Sequence, residues 1–86
     1  MALRFIGIDP NTGEAQSPTV WVDENKYELV LQGWKPDAEL EAECAATVVP
    51  GHAVGIPENE GVVRIPGHMI HIIREACDAL ERAGRD

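Results

Sequence analysis

The chain has 86 residues, 44% of them hydrophobic, and carries fifteen acidic against seven basic side chains for a formal net charge of −8. That length allows one small domain with a thin core, since chains of this size bury only about 60–65% of the surface they expose when unfolded, and the composition excludes a disordered tail. No apolar run approaches the ~20 residues of a bilayer span, and Met1-Ala2-Leu3-Arg4-Phe5 lacks the basic and apolar segments of a signal peptide, so the expected location is cytoplasmic.

The charge is unevenly spread. Residues 1–60 hold eleven acids against Arg4, Lys26 and Lys35, whereas residues 61–86 hold four acids and four arginines. Such a surface repels a phosphate backbone, which argues against direct nucleic-acid binding, and attracts a basic partner. Solubility alone also accounts for it.

In chain order, Leu3 to Ile8 reads as a first strand, stopped by the turn formers Asp9-Pro10-Asn11-Thr12-Gly13. Thr19-Val20-Trp21-Val22 and Lys26 to Gln32 bracket Asp23-Glu24-Asn25 and predict a hairpin. A turn at this place pairs Val22 with Tyr27 and Val20 with Leu29. Alternation along the strands then sets Val20, Val22, Tyr27, Leu29 and Leu31 on the core face, with Trp21, Glu28, Val30 and Gln32 on the other. Trp21 and Val30 therefore face away from any covering helix, with Trp34 just past the strand end. A large aromatic there needs cover from loops or from another molecule, which makes these residues candidate partner-binding positions.

Pro36 to Ala46 predicts a short acidic helix with Asp37 as its N-cap. Its Glu39, Glu41 and Glu43 are the candidate contacts for a basic surface. Thr47 to Gly61 is an irregular connection. Val62 to Ile65 predicts a further strand, ended by Pro66, and the following residues an amphipathic helix with Met69, Ile70, Ile73, Ala76, Cys77 and Leu80 on its apolar stripe.

Three constellations suggest chemistry. Ile6-Gly7-Ile8-Asp9 resembles the first-strand motif of resolvases and other ribonuclease-H-like enzymes, in which a strand-end aspartate holds a metal ion. The chain is too short for that fold and no later strand ends in an acid placed to complete a two-metal site, so Asp9 is read as a turn residue. His68, His71 and Glu75 share helical spacing, and His52 could join them at a metal; without a glutamate after the first histidine or a paired CxxC, they are read as solvated polar-face residues and no metal or cofactor is expected. Cys44 and Cys77 are read as thiols, Cys77 on the apolar stripe, with one disulfide possible in an oxidising compartment. No convergent acid, base and nucleophile appears, so the chain is read as non-enzymatic.

The expected fold class is α+β: an antiparallel sheet of three to four strands, a C-terminal helix on one face and a short acidic helix, in a single domain over 1–86. The pieces Thr-Val-Trp-Val-Asp-Glu, Leu-Val-Leu-Gln-Gly-Trp and Val-Val-Arg-Ile-Pro, with this layout over residues 3–34 and 62–80, resemble small actinobacterial proteins related to the BldB-like partners of WhiJ-type helix-turn-helix regulators. That family's Trp-Arg-Lys-Ser-Ser start is absent. The resemblance implies an accessory protein that binds a basic DNA-binding regulator. An acidic inhibitor or antitoxin-like module, blocking a nucleic-acid site by charge mimicry, is the alternative. A homodimer is expected from the uncovered sheet face.

Overall fold

The computed structural model describes residues 3–11, 13 and 16–84. Its elements are β1 (Leu3–Ile8), β2 (Thr19–Asp23), β3 (Glu28–Gln32), α1 (Ala38–Ala46), a single 3-10 turn at Gly67–Met69 and α2 (Ile70–Gly84). The strands form one antiparallel sheet in the order β1-β2-β3, so the architecture is the α+β arrangement read from the sequence. The chain packs as two compact units. One comprises Met1–Gly33 with Ile65–Asp86 and holds the sheet and α2; the other is Trp34–Arg64 and holds α1.

The hairpin departs from expectation in register but not in face. Val22 pairs with Leu29 and Val20 with Leu31, two positions further along than the sequence suggested. The cause is a four-residue reversal, Glu24 to Tyr27. The Asp23 carboxylate accepts the Lys26 N–H at 3.0 Å, which tightens the turn, and Tyr27 completes it in the left-handed region at φ 56°. Tyr27 thus leaves the strand and is 56% exposed, not a core residue. A shift of two preserves the alternation of faces, so Val20 and Val22 still enter the core at 0% exposure.

β1 pairs Phe5 with Trp21 and then Gly7 with Val20, leaving Ile6 as an extra residue. Such a bulge turns two successive residues toward the same side. Ile6 accordingly packs against the core, and a Cβ placed on Gly7 would lie 2.9 Å from Ile72 Cγ2. The missing side chain is what lets α2 approach this strand. Gly7→Ala is expected to destabilise the protein by about 1–2 kcal/mol through overpacking. Urea denaturation checks this, and the loss should shrink in an Ile72→Ala background, where the opposing atoms are gone; an undiminished loss would place the strain in the backbone.

The core joins Val20 and Val22 to Met69, Ile72, Ala76 and Leu80, with Ala79 also buried. The buried stripe of α2 is rotated from the expected one. Ile72 and Ala79 lie inside it, whereas Ile70 is 51% exposed and Ile73 and Cys77 are half-buried. Four adjacent residues, Ile70 to Ile73, contain three isoleucines, so periodicity alone does not choose among them; the 3-10 turn that seats Met69 does. Val62 to Ile65 is not a strand. Only Arg64 forms an isolated antiparallel bridge, with Trp34, and Ile65 contributes its side chain to the first unit's core. Pro66 supplies the carbonyl that caps the Met69 N–H at 3.0 Å, so the chain turns into helix before a second rung can form. No helix among the described residues is long and apolar enough to cross a membrane.

Candidate functional site

The side of the sheet opposite α2 carries a row of cross-strand neighbours, Phe5 on β1, Trp21 on β2 and Val30 on β3. Trp21 and Val30 are half-buried, while Phe5 is 57% exposed. Leu3 and Ile8 lie on the same side of β1 and are 42% and 44% exposed. The two apolar residues expected on this face are therefore joined by three more from β1. Strand order brings them there: because β1 lies beside β2, the register that sets Val20 and Val22 inward also sets Phe5 outward. A sequence read without strand order had no means of assigning β1's faces.

At the turn end of this row, Asp23 stands opposite both Leu3 and Glu28. Two carboxylates directly opposed across an antiparallel pair repel each other. A cation from another molecule, docked beside the apolar row, would relieve that repulsion.

A second constellation sits where β1 ends. Asp9 Oδ1 accepts the Asn11 N–H at 2.9 Å, the Asx-turn geometry its turn-forming role predicts. The same oxygen lies 2.6 Å from His68 Nε2, with the aspartate side chain fully buried and the histidine side chain 43% exposed. The reading of His68 as a solvated polar-face residue is thus corrected: its ring ties the 3-10 turn to the end of β1. Burial raises the Asp9 pKa, but the Asn11 hydrogen bond and the hydrogen bond and charge interaction with His68 together outweigh it and hold the carboxyl below its ordinary value. The two residues are 59 positions apart, and no local pattern signals their meeting.

The remaining candidates belong to the second unit. Asp37 caps α1, its Oδ1 accepting the Leu40 N–H at 2.8 Å, as read from the sequence. All of Glu39, Glu41 and Glu43 are exposed. Glu39 and Glu43 lie one turn apart on one side, but Glu41, two residues from each, points elsewhere and borders a cavity of about 200 Å³ with Pro36, Ile56, Glu60 and Val62. The three acids do not form one face. Trp34 exchanges both backbone hydrogen bonds with Arg64, at 2.9 and 3.0 Å, and its indole Nε1 is buried with no hydrogen-bond partner among the described residues.

Among the described residues no group of three or more His, Cys, Asp or Glu is arranged to hold a metal ion. Cys44 and Cys77 are free thiols. No family model matches the chain, and no similarity emerges to a curated protein or to a solved structure.

Proposed function

We propose that this chain is a non-enzymatic interaction protein of the cytoplasm that docks a basic DNA-binding regulator on the outer face of its sheet. The observation that carries the reading is Phe5, 57% exposed beside Trp21 and Val30 in one cross-strand row. Aromatic residues clustered on an exposed face are the usual anchors of protein interfaces. The opposed carboxylates of Asp23 and Glu28 complement a lysine or arginine on the partner's rim, and the acid excess of residues 1–60 steers a cationic partner toward this chain. The choice of a helix-turn-helix regulator follows the family resemblance of residues 3–34 and 62–80.

Charge mimicry is the second reading, favoured by α1, which has no buried residue and exposes Glu39 and Glu43 on one side. The two separate kinetically. With helix-turn-helix regulators encoded beside this chain's own gene immobilised in turn, Trp21→Ala is expected to raise the dissociation rate about tenfold, as loss of a buried aromatic anchor does. Neutralising Glu39, Glu41 and Glu43 together should slow association and flatten its salt dependence while leaving dissociation unchanged. If the acid triple variant abolishes binding and Trp21→Ala leaves it intact, the charge-mimic reading replaces the docking face.

A further inference from the structure

We propose that the open edge of β3 pairs with the same edge of a second copy of this chain, joining two three-stranded sheets into one continuous sheet. β3 ends the strand order, so no strand among the described residues lies along its outer side. Proteins usually blunt such an edge with a proline, a lysine, a bulge or a cover. Within β3 there is no proline, lysine or bulge: it reads Glu-Leu-Val-Leu-Gln and pairs with β2 without a register break, whereas the opposite edge, β1, carries its bulge at Ile6.

The inward side chains along this edge are unfinished in the same way. Leu29 and Leu31 are 39% and 40% exposed, although their cross-strand neighbours Val22 and Val20 are at 0%. Leu29 also borders an open cavity of about 190 Å³ whose other walls are Tyr27, Cys77, Leu80 and Glu81. An apolar side chain arriving beside Leu29 would complete that wall.

The segment is complementary to itself, which selects a second copy over a foreign strand. Antiparallel pairing centred on Val30 sets Leu29 against the partner's Leu31 on the inner face and Glu28 against the partner's Gln32 on the outer face. No like charges meet in the ladder, although each chain carries a net charge of −8. Gln32 donates from Nε2 to the Ser17 carbonyl at 2.6 Å, and its second amide hydrogen is available to a carboxylate. Pairing Glu28 with itself would oppose two carboxylates, and a slip of one residue would set inner side chains against outer ones. The Val30-centred register alone uses all five residues. It leaves Phe5 and Trp21 of the docking row clear of the seam, so the dimer is tested separately from the docking reading.

The register provides the test. Across a two-fold axis Val30 faces itself at an antiparallel Cα separation of about 4.5–5.5 Å, within the range a disulfide spans. In a Cys44→Ser, Cys77→Ala background, Val30→Cys should give a covalent dimer under mild oxidation, whereas Leu29→Cys, which faces the partner's Leu31, should not. Sedimentation velocity of the unmodified chain should show a concentration-dependent dimer, strengthened by salt as repulsion between the acidic copies is screened. An inward charge, Leu31→Lys, should weaken that dimer by about tenfold or more, while Phe5→Ser leaves it unchanged. A monomer at every concentration, equal cross-linking at both positions, or a dimer lost with Phe5→Ser and kept with Leu31→Lys would overturn the proposal.

Discussion

Met69→Ala is expected to cost about 2–5 kcal/mol, since it removes the largest fully buried side chain among the described residues. Met69 is fully buried and sits among Val20, Val22, Ile72, Ala76 and Leu80. It lies in the 3-10 turn rather than in α2, so the neighbouring backbone is held by the Pro66 carbonyl and cannot collapse into the space left behind. A domain of this size has only about 5–10 kcal/mol to lose, and so the variant should unfold at a much lower urea concentration. Ile70→Ala, next in sequence but 51% exposed, should change stability by less than about 1 kcal/mol. Equal losses at the two positions would mean that the core is not centred on the turn.

Loss of the Asp9 carboxylate comes next. Asp9→Ala strands the Asn11 N–H and leaves His68 without the acceptor that fixes its ring, and a fall in melting temperature of about 5–10 °C is expected. The pH dependence has a definite sign. Because the folded pKa of Asp9 lies below its unfolded value of 3.8, the pairing stabilises the protein fully above that value and is lost as pH falls through the lower, folded one. The gap in melting temperature between wild type and Asp9→Asn should therefore close as pH falls below 3.8. A gap that closed between neutral pH and 3.8 would show that another group governs it. His68→Ala, which keeps the Asn11 bond, should give a smaller loss than Asp9→Ala.

The outer face illustrates how a two-residue shift in pairing leaves the assignment of strand faces intact. The hairpin register missed by two because the reversal ends at Tyr27 in the left-handed region, where a tyrosine is not expected. Side-chain faces repeat every two residues, so Trp21 and Val30 remained on the side away from α2. A miss of one would have inverted both faces. The stripe of α2 had no such protection. With isoleucine at positions 70, 72 and 73, a rotation of one residue gives another plausible helix, and periodicity does not single out Ile72, which fills the space opposite Gly7.

Local chemistry specified the three strands and the two helices of this protein, although it also suggested a strand at Val62 to Ile65 that does not form. Turn formers after Ile8, alternation from Thr19 to Val22, the Asp37 cap and an apolar repeat in the last third specify strand, hairpin, acidic helix and amphipathic helix, because each signal acts within one or two turns of backbone. The acid excess of the first sixty residues is likewise a property of the chain. The tertiary structure decided the rest: which strand flanks β2, the bulge at Ile6 that aims Ile6 and Gly7 at α2, the exposure of Phe5 beside Trp21, the open β3 edge, and the meeting of Asp9 with His68. These depend on groups far apart in sequence, whose approach is set by how the helix closes over the sheet and leaves no trace in any local period.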